Sequence, residues 1–333
     1  MENSIIIITI LTILIIIIIL YINYFVNNLN KTNNKIESFI NITIDDNELA
    51  EFSYGLSETS KIPNIIWTFW DGQLTDTVTK CIDSWRFYNP TYKIYILNKS
   101  NYSQFINQDF DSTFDPNIDS IKHANESLQR YSDYVRLAIL AKYGGFWIDA
   151  SIICHHPFTW IHGVQNKLDV EFIAYYGERF TESNYKKYSP IIESWFFACI
   201  PNSQFINDWR DEFFSSKKFN SISNYLENIY KDKISPQKII YLDYLAIYIS
   251  TQKLLQKNIN KYKLCLFSDK YGPYSQLYDA NLDTIKSVDN LINKNTYKKY
   301  HKNTFIKLRR MDRILFDKNI NKNNAYSHLS KNK

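Results

Sequence analysis

Two glycines stand side by side, Gly144-Gly145, in a chain of 333 residues that contains only seven. They divide the stretch "ANESLQRYSDYVRLAILAKY" from the run "FWIDASII". The first fits a helix, because Leu128, Tyr131, Val135, Ala138 and Ile139 recur at three- and four-residue spacing and form one apolar stripe. A glycine just past such a stripe takes the left-handed backbone that closes a helix, so Gly144 ends it. The second run is rich in branched and aromatic residues and fits a buried strand. A helix must therefore turn directly into a strand, and Asp149 falls where that strand stops being apolar. A carboxylate there is costly unless it meets a cation or hydrogen-bond donors.

Upstream, "KIPNIIWTFWDG" reads as a strand opened by Pro63 and ended by the turn pair Asp71-Gly72. "TDTVTKCIDSWRFYNP" follows as a helix with Val78, Cys81, Ile82 and Trp85 on one face, stopped before Pro90. "YKIYILNK" is a second strand, and the three together predict a parallel, right-handed βαβ unit. Downstream come the apolar stretches "VEFIAYYG" and "IIESWFFACI", a helix around "FINDWRDEFF" and a long amphipathic helix over "KIIYLDYLAIYISTQKLLQ". The class expected is α/β.

Ser132, Asp133 and Arg136 lie off the stripe of their helix and close to one another, since residues three and four apart share a face. In open α/β sheets ligands bind beyond the carboxyl ends of the strands, and Trp70-Asp71 and Asp149-Ala150-Ser151 both lie at such ends. The sequence carries neither a GxGxxG nor a Walker-type phosphate loop. A nucleotide would need its charge offset by a divalent cation on carboxylate and hydroxyl oxygens, or by a forked arginine donor. Glu193 is apolar-flanked and reads as an acid facing a ligand or as one on a strand edge. Lys298, Lys299, Lys302, Lys307, Arg309 and Arg310 read as a solvated face or as a phosphate contact.

A net charge of +5 is too mild to make nucleic acid the main partner. Cys81, Cys154, Cys199 and Cys265 are too widely spaced for a zinc site or a disulfide scaffold and read as buried free thiols. His155-His156 makes a poor metal clamp, because neighbours on an extended strand point to opposite faces. "SIIIITILTILIIIIILYI", residues 4–22, carries no charge and matches the roughly 20 residues that cross a bilayer, so it reads as a retained single-pass anchor. Orientation is open. Lys31 and Lys35 favour a cytosolic domain, whereas the sequons at Asn41, Asn98, Asn101 and Asn125 suit a lumenal one. Residues 23–60 form a polar stem, 61–316 a globular domain and 317–333 a polar tail.

Four segments, "IPNIIWTFWDG", "CIDSWRFYNPTYKIYIL", "SDYVRLAILAKYGGFWIDASI" and "ESWFFACIPNSQFINDW", together resemble the capsular polysaccharide synthesis proteins. More distantly they resemble the DXD-motif sugar transferases, which include yeast-type mannosyltransferases and the large clostridial glucosylating toxins. The likeness runs from Ile62 to Trp209, with a fainter echo at "NTFIKLRR". It implies a GT-A-type, Rossmann-like nucleotide-sugar-binding domain that moves a hexose from a UDP- or GDP-sugar to a glycan, protein or lipid hydroxyl, with retention. The matching positions imply that Trp70 stacks on the donor base and that Asp133 and Arg136 grip the donor sugar and its phosphate. Asp149 matches the first acid of the DXD motif, holding Mn²⁺ or Mg²⁺. Ser151 stands where the family has its second acid, which weakens the implied metal site. Two other readings fit the same residues: a sugar-nucleotide-binding module without turnover, and a membrane-tethered phosphate or nucleic-acid binder built on the basic run.

Overall fold

The computed structural model describes residues 61–106 and 128–319. The expected anchor, the stem and the end of the tail lie outside the described residues.

Strand β1 (Ile65–Phe69) is buried at every position, as a strand covered on both faces must be. Helix α1 (Asp76–Tyr88) starts at Thr75, whose hydroxyl accepts from the Val78 amide at 3.3 Å, and stops at Asn89, ahead of Pro90. Strand β2 (Lys93–Leu97) runs parallel to β1, Ile65 opposite Lys93 through Phe69 opposite Leu97. The βαβ unit read from the sequence is present. Helix α2 (Leu128–Tyr143) leads through Gly144 and Gly145 into β3 (Gly145–Ile148), which pairs parallel to β1. Gly144 has φ +62°, and a Cβ there would lie 2.5 Å from the Pro201 nitrogen. At Gly145, with φ +90°, it would lie 2.7 Å from the Ile65 carbonyl oxygen. The glycine pair thus serves both the helix end and the close approach of neighbouring strands.

The run "FWIDASII" is not one strand. It breaks at Asp149, and β4 (Ile152–Cys154) joins a separate two-stranded sheet. Helix α3 (Thr159–Leu168), β5 (Phe172–Tyr176), β6 (Ile192–Cys199), α4 (Gln204–Phe214) and α5 (Ile222–Lys231) follow. Helix α6 spans only Ala246–Asn258, so the long helix expected over "KIIYLDYLAIYISTQKLLQ" lacks its first eight residues. Residues 238–245 turn instead, exposing Ile240, Tyr241 and Tyr244. Strand β7 (Leu264–Ser268), α7 (Ser275–Asp279), α8 (Thr284–Ile292), α9 (Lys294–Tyr300), β8 (Phe305–Lys307) and α10 (Arg310–Asp317) complete the described chain.

The main sheet has the order β2-β1-β3-β6-β5-β7, with β6 antiparallel to both its neighbours. The α/β class expected is the class found. Helix α2 packs on β1, β3 and α4. Thirteen of its sixteen residues are buried, so the face off the apolar stripe is covered rather than solvated. Cys81, Cys154 and Cys199 are buried free thiols, as expected, and Cys265 is a partly buried one.

Candidate active site

The site grows from the break after β3. The Asp149 amide donates to the Trp195 carbonyl of β6 at 2.9 Å, and the Ile152 amide donates back to the Asp149 carbonyl at 3.1 Å. That turn carries the chain out of the main sheet into β4. There Ile152 pairs with Lys307 of β8, antiparallel, and the Leu308 amide reaches the Ser151 carbonyl at 2.9 Å. A residue 158 positions away in sequence is thereby set against the turn.

Four charged side chains meet. Lys307 Nζ donates to Asp149 Oδ2 and to Ser151 Oγ, each at 2.7 Å. Trp147 Nε1 donates to Asp149 Oδ1 at 3.2 Å. Arg136 Nη2 lies 3.1 Å from Asp133 Oδ1 and 3.6 Å from Asp149 Oδ1. The same guanidinium donates to the Ser132 carbonyl, the Ser132 hydroxyl and the Ser194 carbonyl, and sits 5.0 Å above the Trp147 ring. Two acids and two bases balance. Asp133, Arg136 and Lys307 are nearly inaccessible, whereas the Asp149 side chain keeps 28% of its surface open.

Position sets protonation. Burial pushes the Asp133 carboxyl up to about 6, although Arg136 and Arg130 pull it down. Burial also pushes Asp149 up, but Lys307, Arg136 and the hydrogen bonds from Lys307 and Trp147 together outweigh it and hold the carboxyl below its usual range. Burial lowers the Lys307 ammonium, against the pull of Asp149.

The structure brings Asp133, Arg136, Asp149 and Ser151 together. Trp70 lies beyond the carboxyl end of β1, half-buried, its indole donating to the Gln73 carbonyl at 3.1 Å. The Arg313 guanidinium lies 5.3 Å from the centre of its ring, and the charge of Arg313 also bears on Lys307. Two sequence readings are corrected. Lys307 is no part of a solvated basic face; it is 7% exposed and at the centre of the site. Its neighbours in that run serve local structure: Lys299 pairs with Asp279 and Arg309 with Asp312. Glu193 is no strand-edge acid, since β6 is an inner strand and the carboxyl is 1% exposed. Tyr244 went unnoticed in the sequence. Its exposed ring sits near the mouth, where burial and the charges of Asp133 and Asp149 push its phenol up.

Asp149 and Ser151 do not fit a divalent cation as they stand. Such an ion wants several oxygens with free lone pairs. Here one carboxylate and one hydroxyl both face the Lys307 ammonium, with Arg136 behind. Among the described residues no group of three His, Cys, Asp or Glu side chains is placed to hold a metal.

A second acidic centre lies one residue along β6 from the Ser194 carbonyl. Glu193 Oε2 accepts from the Tyr248 hydroxyl at 2.5 Å, and Asp269 Oδ1 accepts from the Glu178 amide at 3.0 Å. Arg179 bears on both acids but pairs closely with neither, packing instead over the Phe180 ring at 4.4 Å. Glu193 Oε1, Asp269 Oδ2 and Arg179 Nε make no hydrogen bond among the described residues. Burial and the charge of Glu193 push Asp269 up to about 7.

A sequence profile described as "Capsular polysaccharide synthesis protein" matches residues 17–311. No curated protein sequence matches significantly. Among chains of known structure, 17 match. One is the PaToxG glycosyltransferase, 16% identical over 70% of this chain and 79% of that one, with a TM-score of 0.39. Another is the UDP-bound glycosyltransferase domain from the YGT toxin, 10% identical over 62% and 80%, with a TM-score of 0.40. A third is the galactosyltransferase LgtC in complex with donor and acceptor sugar analogs, 14% identical over 73% and 86%, with a TM-score of 0.37.

Proposed function

The chain belongs to the capsular polysaccharide synthesis protein family and is a glycosyltransferase, and we propose that it moves a hexose from a nucleoside-diphosphate sugar to a hydroxyl of a glycan, protein or lipid. One observation carries the reading. Asp133, Arg136 and Asp149 converge beyond the carboxyl ends of the parallel strands β1 and β3, the place where open α/β sheets take nucleotides. A GT-A-type arrangement and a UDP- or GDP-linked donor follow from the family resemblance.

The geometry supports the following division of parts. Arg136 contacts Asp133, Asp149, Ser132 and Ser194, which supports its acting as a clamp on two carboxylates. Asp149, the more open of the two, presents an acceptor edge to hydroxyls of the donor sugar or its ribose. Trp70, at the rim, supplies a stacking face for the base. The barrier lies in parting the anomeric carbon from the phosphate oxygen. Charge then grows on the diphosphate, and preorganised groups stabilise it without reorganising. Retention of configuration follows from the resemblance and asks for no dedicated base.

We place the enzyme at a membrane through residues 4–22, with 23–60 as a stem. Resistance of the full chain to alkaline carbonate extraction tests that. For the activity, the test is a panel of nucleotide sugars assayed for release of nucleoside diphosphate, wild type against Asp149→Asn. Turnover of one donor that the variant loses supports the proposal. Donor binding with no release, even with acceptors present, reduces the chain to a binding module.

A further inference from the structure

The two oxygens that the family resemblance would give to a divalent cation hold an ammonium instead. Lys307 Nζ sits 2.7 Å from both Asp149 Oδ2 and Ser151 Oγ, bridging them as a metal would. These bonds use two of its three N–H groups, and among the described residues no acceptor takes the third. The side chain is 9% exposed, so that third N–H is held in a nearly dry setting. The half-buried Arg313 guanidinium lies 5.3 Å from the centre of the Trp70 ring, and its charge bears on this ammonium. One cation thus stands at the base platform and another at the sugar carboxylate. We propose that Lys307, assisted by Arg313, takes the place of the divalent cation against the donor's diphosphate, so that this enzyme binds and uses its sugar nucleotide without metal.

The proposal rests on the glycosyltransferase reading. Its physical basis is the charge balance of the site. Asp149 and Asp133 are already neutralised by Lys307 and Arg136, so a divalent ion at Asp149 would add positive charge to a site already in balance. The incoming diphosphate supplies the negative charge that the free N–H of Lys307 lacks. Ser151 explains itself on these terms: a second acid would overbalance the single ammonium, whereas a hydroxyl accepts its hydrogen bond and adds no charge.

The test uses the full-length protein in detergent and titrates UDP, GDP, UMP and GMP by calorimetry, in excess EDTA and then in Mn²⁺. One diphosphate binds in EDTA, and Mn²⁺ changes its affinity by less than about threefold. Lys307→Met weakens that diphosphate by about 10- to 100-fold, the worth of a charged hydrogen bond, and leaves the matching monophosphate nearly unchanged. Arg313→Gln, at a half-exposed position that does not threaten the fold, gives a smaller loss in the same direction. Turnover of the preferred donor persists in EDTA. Binding or turnover only with Mn²⁺ overturns the proposal and leaves the glycosyltransferase standing, as does a Lys307→Met variant of undiminished diphosphate affinity. A protein that binds neither diphosphate in either buffer, and turns over no donor, overturns the glycosyltransferase mechanism itself.

Discussion

Two acidic centres lie side by side along β6, and they are built on opposite plans. Around Asp149, two carboxylates face two cations, hydrogen bonds reach both oxygens of Asp149, and the centre opens to solvent at one edge. Around Glu193 and Asp269, two buried carboxyls share one arginine that pairs closely with neither, and an oxygen on each is left without a donor. The first centre keeps Asp149 charged. The second lets a proton do the work of the missing cation, as the raised Asp269 shows. Full charge compensation marks the place where a ligand's own charge can be handled; partial compensation marks a structural knot with spare protons.

The largest effect expected is on folding. Arg136→Ala leaves Asp133 buried without its close partner and costs about 3–5 kcal/mol, as breaking a buried ion pair does. Arg179→Ala, beside acids that can stay protonated, costs less than half of that. Denaturant midpoints for both variants decide it, and equal costs would erase the contrast. Next comes chemistry. Asp149→Asn lowers turnover by about 10²- to 10³-fold, as loss of one preorganised electrostatic group does. Glu193→Gln changes it less than tenfold. Comparable losses would make the second centre part of the catalytic machinery.

How far these centres were legible beforehand differs for a physical reason. β1, α1, β2, α2 and β3 follow from local patterns, so their order and type could be read directly. Asp133, Arg136 and Asp149 could be found because they lie within 17 residues that contain a glycine pair whose conformation is forced. Lys307 could not. It lies in a lysine-rich tract of a lysine-rich chain, and only the pairing of the three-residue strands β4 and β8 brings it to Asp149. So short a pairing has no periodicity of its own. The break after β3 was signalled by Asp-Ala-Ser, poor strand formers, but the apolar residues on either side masked it. The helix expected before Ala246 gives way to a turn in which the Asp243 carbonyl accepts from Arg130.

A third prediction separates the centres by pH. Asp269 is raised from 3.8 to about 7, so its contribution to stability is full below pH 4 and is lost as pH rises through 7. Asp269→Asn keeps the acceptor for the Glu178 amide and removes that slope, gaining about 1–3 kcal/mol at pH 8 and nothing at pH 4. A variant less stable at pH 8 would mean the carboxylate is well solvated or paired. The smallest effect is on activity at mild acidity. Asp133, raised to about 6, is neutral below that pH and charged above it. kcat/KM therefore falls up to about tenfold per pH unit below 6 in the wild type, and stays low but flat in Asp133→Asn. Stability moves the other way, since ionising this buried group costs free energy. Opposite slopes of activity and stability across pH 5 to 7 are the signature to look for.

The pairing of β4 with β8 also governs when the cluster around Asp149 is complete. A nascent chain is made from its N-terminus at roughly 5–20 residues per second, so about 8–30 s separate synthesis of Asp149 from that of Lys307. Through that interval the main sheet's first strands and helix α2 are already outside or leaving the ribosome, while Asp149 and Ser151 lack their cation. The cluster around Asp149 closes only after β8 has emerged and paired with β4. A polypeptide abandoned before residue 307 carries Asp133, Arg136, Asp149 and the glycine pair but not the cation that meets Asp149 and Ser151.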